Sequence, residues 1–328
     1  MRNIRWGILG GGKIANKFAN DLKLVEGATL TAIASRDKVR GSEFANKFSI
    51  PTVFDSYEAM VASNDVDVIY VATPHGLHHE HTLLCLNHGK AVLCEKAFAL
   101  NARHAREMIE VARAKKVFLM EAFWTKFLPQ YQKVQEIIAA GTLGDLRWVQ
   151  ADFGFKAPDP PAQRLYDPAL GGGSLLDVGI YPVFLALSLL GKPKGIQASI
   201  VPYDTGVDEQ CAVTFTYPNN VVAVLSASFA VDTPVEAVIA GTKARIQWRN
   251  RFHNAIGKIE LVDENNNAMP IEVYRESGYG YQFEARHVSD CLRKGLTESP
   301  VMSHQDTLDL METLDRIRAV AGIRYSVD

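Results

Sequence analysis

The sequence predicts an α/β protein in two parts, an N-terminal doubly wound parallel sheet and then a C-terminal α+β domain with an open, mostly antiparallel sheet. Three observations carry this. From Ile4 to Met120, short apolar runs alternate with amphipathic helical patterns, the rhythm of βαβ units. From Ile196 to Ile271, short alternating strands are separated by turn signals such as Pro218-Asn219-Asn220 and Asn265-Asn266-Asn267. With 328 residues, 47% of them hydrophobic, the chain can bury two cores. The expected division is 1–120 and 121–328.

The first stretch, Ile4 to Leu22, is an apolar run, a glycine turn and a helical pattern. Gly10, Gly12 and Ala15 fit G-x-G-x-x-[GA]: a tight turn, a close backbone approach to a pyrophosphate, and a small residue where helix meets strand. The helix opening at Lys13 and Ile14 then turns unpaired N–H groups toward an anion. This order of strand, turn and helix predicts a Rossmann dinucleotide site, with an ordinary glycine turn as the bland alternative. Further strands follow at Thr29 to Ser35, Pro51 to Phe54, Val66 to Ala72, Ala91 to Cys94 and Val117 to Met120. Helices lie between them at Asp37 to Phe48, Ser56 to Ala62, Leu77 to His88 and Asn101 to Lys115.

Ligands of such sheets bind outside the carboxyl ends of the strands, so three further strand ends matter. An NAD enzyme carries Asp or Glu at the second, about 20 residues past the glycines, for the ribose hydroxyl. Here Ser35 and Arg36 stand there, with Arg40 one turn on. Guanidinium groups grip a 2′-phosphate, which favours NADP over NAD, unless Asp37 serves the ribose and the arginines are solvated. The fourth strand ends in Thr73-Pro74-His75, with His78, His79 and His81 behind it. Without HExxH or a cysteine pair, these three histidines read as structural and no metal is expected, while His75 lies where an imidazole could bind a substrate hydroxyl. The fifth ends in Cys94-Glu95-Lys96. A lysine at the end of a buried parallel strand needs a reason to be there, and Glu95 and Lys96 are assigned to the cofactor site.

The glycine turn, Thr73 to His79 (TPHGLHH), Cys94 to Asn101 (CEKAFALN), Met120 to Pro129 (MEAFWTKFLP) and Gly171 to Pro182 (GGGSLLDVGIYP) together resemble the glucose-fructose oxidoreductase, inositol dehydrogenase and MocA family. The run from Tyr281, YQFEARHVSDCLRKG, is similar too. Within the family the resemblance is greatest to the dimeric dihydrodiol dehydrogenases and NADP-dependent xylose dehydrogenases. It implies that the lysine of an EKP motif is Lys96, with Ala97 in place of the proline. It also implies that a D-x-G-x-H motif falls on Asp177 to Tyr181, with tyrosine replacing histidine. That makes Tyr181 the proton-transfer residue, with Lys96 and Asp177 beside it in the catalytic set.

The residues themselves are consistent with this. Asp177 and Tyr181 are four apart and share a face if the stretch is an α-helix, and Pro182 breaks or restarts that helix. The resulting mechanism passes a hydride from an alcohol carbon to NADP⁺ while Tyr181, as phenolate, takes the hydroxyl proton. Lowering a tyrosine from ~10 to near neutrality asks roughly 3 to 4 kcal/mol. An ammonium at ~4 Å supplies about 4 kcal/mol at an effective dielectric near 20. The rival assignment makes Lys96 the acid/base and Tyr181 a binding group.

Beyond Met120 a helix is expected over Gln130 to Ala140, a strand over Leu146 to Phe155 and a long Pro-rich loop over Ala157 to Leu170. Strands then follow at Cys211 to Tyr217, Val221 to Phe229, Val235 to Ala240 and Ala244 to Trp248, with helices near Tyr281 to Lys294 and Gln305 to Ala321. Substrate contacts are assigned to His75, Trp124, Arg147, Phe153, Arg164 and Tyr279. Trp124 can cover a sugar or aromatic diol or simply pack, and Arg147 and Phe153 match the subgroup's pocket by position. The sheet's outer face alternates incompletely, which leans toward a homodimer built on it, as in the family.

The net charge of −2 gives no electrostatic reason to expect nucleic acid or an anionic membrane. Apolar runs such as Tyr181 to Leu190 fall short of the ~20 residues of a spanning helix, no leader is legible, and four scattered cysteines suit a reducing, cytoplasmic setting. The function so read is an NADP-dependent oxidoreductase acting on a sugar, polyol or trans-dihydrodiol. A dinucleotide-dependent sugar sensor and an NAD-retaining glycosidase of the same architecture are the alternatives. Keeping both Lys96 and Tyr181 argues against the first, and Ser35-Arg36 against the second.

Overall fold

The computed structural model describes residues 2–158 and 163–328. The chain divides into two compact units, one of Met1–Phe127 with Glu276–Leu308 and one of Leu128–Arg275 with Asp309–Asp328.

The first unit is built on six parallel strands: β1 (Ile4–Leu9), β2 (Ala28–Ala34), β3 (Thr52–Phe54), β4 (Val68–Val71), β5 (Ala91–Glu95) and β6 (Leu119–Ala122). Their order is β3-β2-β1-β4-β5-β6, so the winding reverses between β1 and β4. Their crossovers carry α1 (Lys13–Leu22), α2 (Lys38–Phe48), α3 (Tyr57–Ala62), α4 (His78–Asn87) and α5 (Ala102–Lys115). Helix starts follow local chemistry. The Asp37 carboxylate accepts from the N–H groups of Val39 and Arg40, the Ser56 hydroxyl from Ala59 and the Asn101 amide oxygen from His104. β1 is buried almost throughout, and Phe18 of α1 stacks on Tyr70 of β4 at 3.9 Å, with Trp6 5.3 Å away.

The second unit opens with α6 (Pro129–Ala139), followed by β7 (Leu146–Gly154), a single turn α7 (Gln163–Tyr166) and α8 (Ile180–Leu190). Then come β8 (Gly195–Pro202), β9 (Asp208–Thr216), β10 (Val222–Ser228), β11 (Ala237–Gly241), β12 (Arg245–Arg249), β13 (Lys258–Val262) and β14 (Ala268–Ile271). They form one sheet in the order β14-β13-β12-β11-β7-β10-β9-β8, antiparallel except where β10 runs parallel to β7. Of the expected loop over Ala157 to Leu170, residues 159–162 lie outside the described residues, and the rest includes α7 and a 3-10 turn at Pro168–Leu170.

Two expectations need correction. The chain beyond residue 120 does not stay together, because segment Glu276–Leu308, with α9 (Tyr281–Arg293), belongs to the first unit. The cause is polar as well as apolar. The buried Asp21 carboxylate of α1 accepts from the N–H groups of Tyr279, Gly280 and Tyr281 at the start of α9, where the helix dipole favours an anion. The Trp6 indole donates to Ser289, Arg293 donates to the Arg2 and Gly27 carbonyls, and His304 meets the Leu119 carbonyl. The last helix, α10 (His304–Ala321), runs across the division. The apolar stretch at Tyr181 is also longer than its composition suggested. The 23-residue stretch Pro168–Leu190 holds a window of mean hydropathy 1.8, but 78% of that window is buried, as in the core helix of a folded domain.

Candidate active site

In the first unit the geometry is that of an anion cradle. Gly10 follows β1 at φ +97°, and a Cβ there would sit 3.1 Å from the Ala72 carbonyl and the Thr73 methyl, so glycine is required. Gly12 is the N-cap of α1 and no side chain satisfies the first N–H groups. A Cβ on Gly12 would meet nothing within 4 Å, which leaves room before Lys13 and Ile14 for a phosphate. These residues fit a dinucleotide pyrophosphate.

At the end of β2 the Ser35 hydroxyl turns the chain by accepting from the Asp37 N–H, and Arg36 and Arg40 are exposed beyond it. The Asp37 carboxylate is occupied at the start of α2, with Arg40 at 3.5 Å. Arg36 lies beside the Tyr57 phenol, whose pKa it pulls down against burial. The strand end therefore presents guanidinium groups, with the nearby acid already engaged.

After β4, Thr73 and Pro74 lead into a 3-10 turn, His75–Leu77, and His75 is buried with its ring 5.6 Å from that of His78. His78 lies between the carbonyl oxygens of Thr73, at 2.7 Å, and Ala97, at 2.8 Å. It ties the loop after β4 to the residue after Lys96. Burial and the neighbouring His75 pull its pKa down to about 3. His81 meets the Thr73 hydroxyl at 3.0 Å, and the half-buried His79 pairs with Glu107.

Glu95 ends β5 inside the unit, taking a short hydrogen bond from the Tyr70 hydroxyl and a 3.1 Å bond from the Lys96 N–H. The Lys96–Ala97 peptide bond is cis. Behind Glu95, Glu284 of α9 is fully buried, and its carboxyl is held well above the usual range by burial and by Glu95 and Asp21.

In the second unit, Gly171–Gly173 lead into a π-wound turn, Leu175–Gly179, and α8 restarts at Ile180 with Pro182 in its first turn. The α-helical spacing expected for Asp177 and Tyr181 therefore does not apply. π-wound turns are rare and frequent at functional sites. Tyr181 is buried in an aromatic group, 5.7 Å from the Phe153 ring and 4.7 Å from that of His253, and the latter two stack at 4.3 Å. Arg164 reaches the Asp177 carboxylate at 3.3 Å.

Phe153 thus meets Tyr181, and Arg164 meets Asp177, four residues before Tyr181 in the chain. Arg147 lies six positions before Phe153 on β7, roughly 20 Å away along an extended strand, bonded to Asp145 and the Asn219 carbonyl at the surface. It is not part of this aromatic group. Tyr279 is 47% exposed, beneath Lys17 of α1. Trp124 is buried with its indole stacked on Tyr281 at 4.5 Å. His253 was not anticipated, since it lies past a strand in a turn where Asn250 and Arg251 are left-handed, and a lone loop histidine carries no sequence signal. Among the described residues no group of His, Cys, Asp or Glu could hold a metal ion.

In the first unit the glycine cradle at α1 and the guanidinium groups at the end of β2 suit a dinucleotide, and the matches that follow make the chain a dinucleotide-dependent oxidoreductase. Residues 4–123 match an oxidoreductase family with an NAD-binding Rossmann fold, and residues 131–247 match its C-terminal domain. The chain belongs to the GFO/IDH/MocA family. It is 38% identical to the trans-1,2-dihydrobenzene-1,2-diol dehydrogenase of Mus musculus over 99% of both chains, and 37% identical to that of Homo sapiens over 99% of both. Among solved structures it resembles KijD10, a 3-ketoreductase from Actinomadura kijaniata determined with NADP and TDP-benzene, at TM-score 0.87, 26% identity and 98% coverage of both chains. Levoglucosan dehydrogenase, at TM-score 0.88 and 17% identity over 98% of both chains, shares the fold.

Proposed function

We propose that this chain is an NADP-dependent dehydrogenase of a cyclic vicinal diol or an aldose, with Tyr181 transferring the proton. The observation that carries the reading is Tyr181 itself, a buried phenol on an interrupted helix among Phe153 and His253, in a chain that also keeps Lys96 after β5. When bound, the cofactor supplies the two-electron acceptor for an alcohol carbon. Gly10, Gly12, Lys13 and Ile14 hold its pyrophosphate and Arg36 with Arg40 its 2′-phosphate. Thr73, Pro74, His75, Glu95 and Lys96 would complete the cofactor site.

Tyr181 takes the hydroxyl proton and Lys96 stabilises the phenolate. Asp177, held by Arg164, maintains the turn that carries Tyr181. The flat faces of Phe153 and His253 suit a carbocycle or the apolar face of a sugar, which supports a diol like that named for the curated relatives.

The same proposal includes a homodimer through the large sheet. One row of its outer face sets Trp148, 39% exposed, beside Val222 and Ala240, and the next sets Gln150 beside Val224 and Val238. A cytoplasmic setting is supported by four buried, unbridged thiols.

The test is nicotinamide absorbance with NADP⁺ and NAD⁺ against pentoses, hexoses, inositols and a trans-dihydrodiol. Reduction of NADP⁺ by a diol or aldose supports the reading. Silence across the panel despite tight NADPH binding overturns it in favour of a sensor.

A further inference from the structure

The glycine turn before the π-wound segment is pinned by buried polar groups from two distant parts of the chain. On one side Asp208, the first residue of β9 and fully buried, accepts through Oδ2 from the Ser174 hydroxyl at 2.7 Å and the Leu175 N–H at 2.6 Å. Its Oδ1 has no hydrogen-bond partner among the described residues. It rests against Gly173, where φ is +112° and a Cβ would come within 2.4 Å of it. On the other side the buried Tyr325 hydroxyl donates to the Gly172 carbonyl at 2.6 Å. Tyr325 is itself gripped, its N–H donating to Asp328 at 2.8 Å and its ring lying 5.1 Å from the Arg318 guanidinium, which bonds Asp328. The turn then passes this constraint on in both directions. Gly172 and Gly173 donate to the carbonyls of Asp167 and Leu165, next to Arg164, and the Asp177 N–H donates to the Gly173 carbonyl at 3.3 Å.

Such pinning is an expensive way to gain stability. A buried carboxylate with one oxygen unpartnered loses hydration that an apolar side chain of similar size would not need. A phenol and a carboxylate do fix direction, which apolar contacts do not. We propose that Asp208 and Tyr325 are positioning residues that set the orientation of Tyr181 through the Gly171–Leu175 turn. This rests on the reading that Tyr181 transfers the proton.

The test uses Tyr325→Phe and Ser174→Ala, each removing one hydroxyl, with Asp208→Asn as the isosteric change of charge. The expected result is a fall in kcat of roughly ten- to a hundredfold, because a small misplacement of a reacting group is costly. Affinity for NADPH, read by its fluorescence, stays within about twofold, which separates positioning from unfolding. Amide hydrogens of residues 174–181 exchange faster in each variant. In a Tyr181→Phe background, Tyr325→Phe produces no further loss, as two changes acting on one step are not additive.

Wild-type kcat in folded Tyr325→Phe and Ser174→Ala, or equal losses in both backgrounds, overturns the inference. Full turnover in Tyr181→Phe alone overturns instead the proton-transfer reading beneath it.

Discussion

At the scale of the residue, Tyr181 and Lys96 are separable by what each loses on replacement. Tyr181→Phe keeps the ring among Phe153 and His253 and removes only the hydroxyl, so kcat is expected to fall by roughly a hundredfold or more, the usual worth of a general base. Lys96→Met keeps the stem and removes the charge. Steady-state turnover of both variants on one substrate decides between them, and near wild-type kcat in the phenylalanine variant transfers the proton to Lys96. Arg36 makes a second case. With Asp37 engaged at the start of α2, Arg36→Ala should raise KM for NADP roughly ten- to a hundredfold, the loss of a hydrogen-bonded charge, and leave KM for NAD nearly unchanged. Equal changes for the two cofactors would place the 2′-phosphate elsewhere. The basic end of β2 was legible because strand end and motif spacing together place these arginines just past it. His253 and Asp208 were not, since each acts through a contact made only when distant strands assemble.

At the scale of the element, local chemistry set most starts and stops. Asp37, Ser56 and Asn101 cap the helices that follow them, and Ser49 and Lys116 end two helices in left-handed conformation. Two elements escaped local reading. The stretch at Asp177 was read as a helix interrupted at Pro182, and the π winding before Ile180, where Gly179 packs near Ala227 and Leu175, was not legible. α9 was assigned to the second domain by its place in the chain, whereas its first N–H groups are held by Asp21 of α1. Asp21→Ala should therefore lower stability by about 1 to 2 kcal/mol, the cost of losing a helix cap. The check is urea unfolding together with proteolysis. An unchanged midpoint would show that apolar packing alone holds α9.

For the whole molecule, oligomeric state and pH dependence are the properties at issue. Trp148→Glu places a charge at the centre of the sheet's outer face, beside Val222 and Ala240. If that face is shared between two copies, light scattering will show a monomer, and an unchanged dimer would locate the interface elsewhere. Glu121 gives the pH prediction. Full burial pushes its carboxyl up to about 8, against the Thr307 hydroxyl and the Phe98 N–H, which pull it back. A folded pKa raised above the unfolded value means stability present in acid and lost as pH rises through the folded pKa. Stability should fall by up to roughly 1.4 kcal/mol per pH unit on this account between about pH 5 and 8. Glu121→Gln should flatten that slope, as thermal melts across the range will show. A slope unchanged in the variant would assign the effect to other groups.

The sequence by itself determined the parallel sheet, the glycine turn after β1, the basic end of β2 and the place of Lys96 just past β5. Each of these rests on a short stretch whose spacing is its mechanism: an apolar period, a glycine that must turn, a cap that must accept. Tertiary structure alone decided that Glu276–Leu308 joins the first unit and that Arg147 stands away from the aromatic group around Tyr181. It also decided that His253 stacks there and that Asp208 and Tyr325 grip the glycine turn. The physical reason is one of range. Backbone preference and periodicity act within a few residues, whereas desolvation, ring stacking and the satisfaction of buried hydrogen bonds depend on neighbours that only the folded chain supplies.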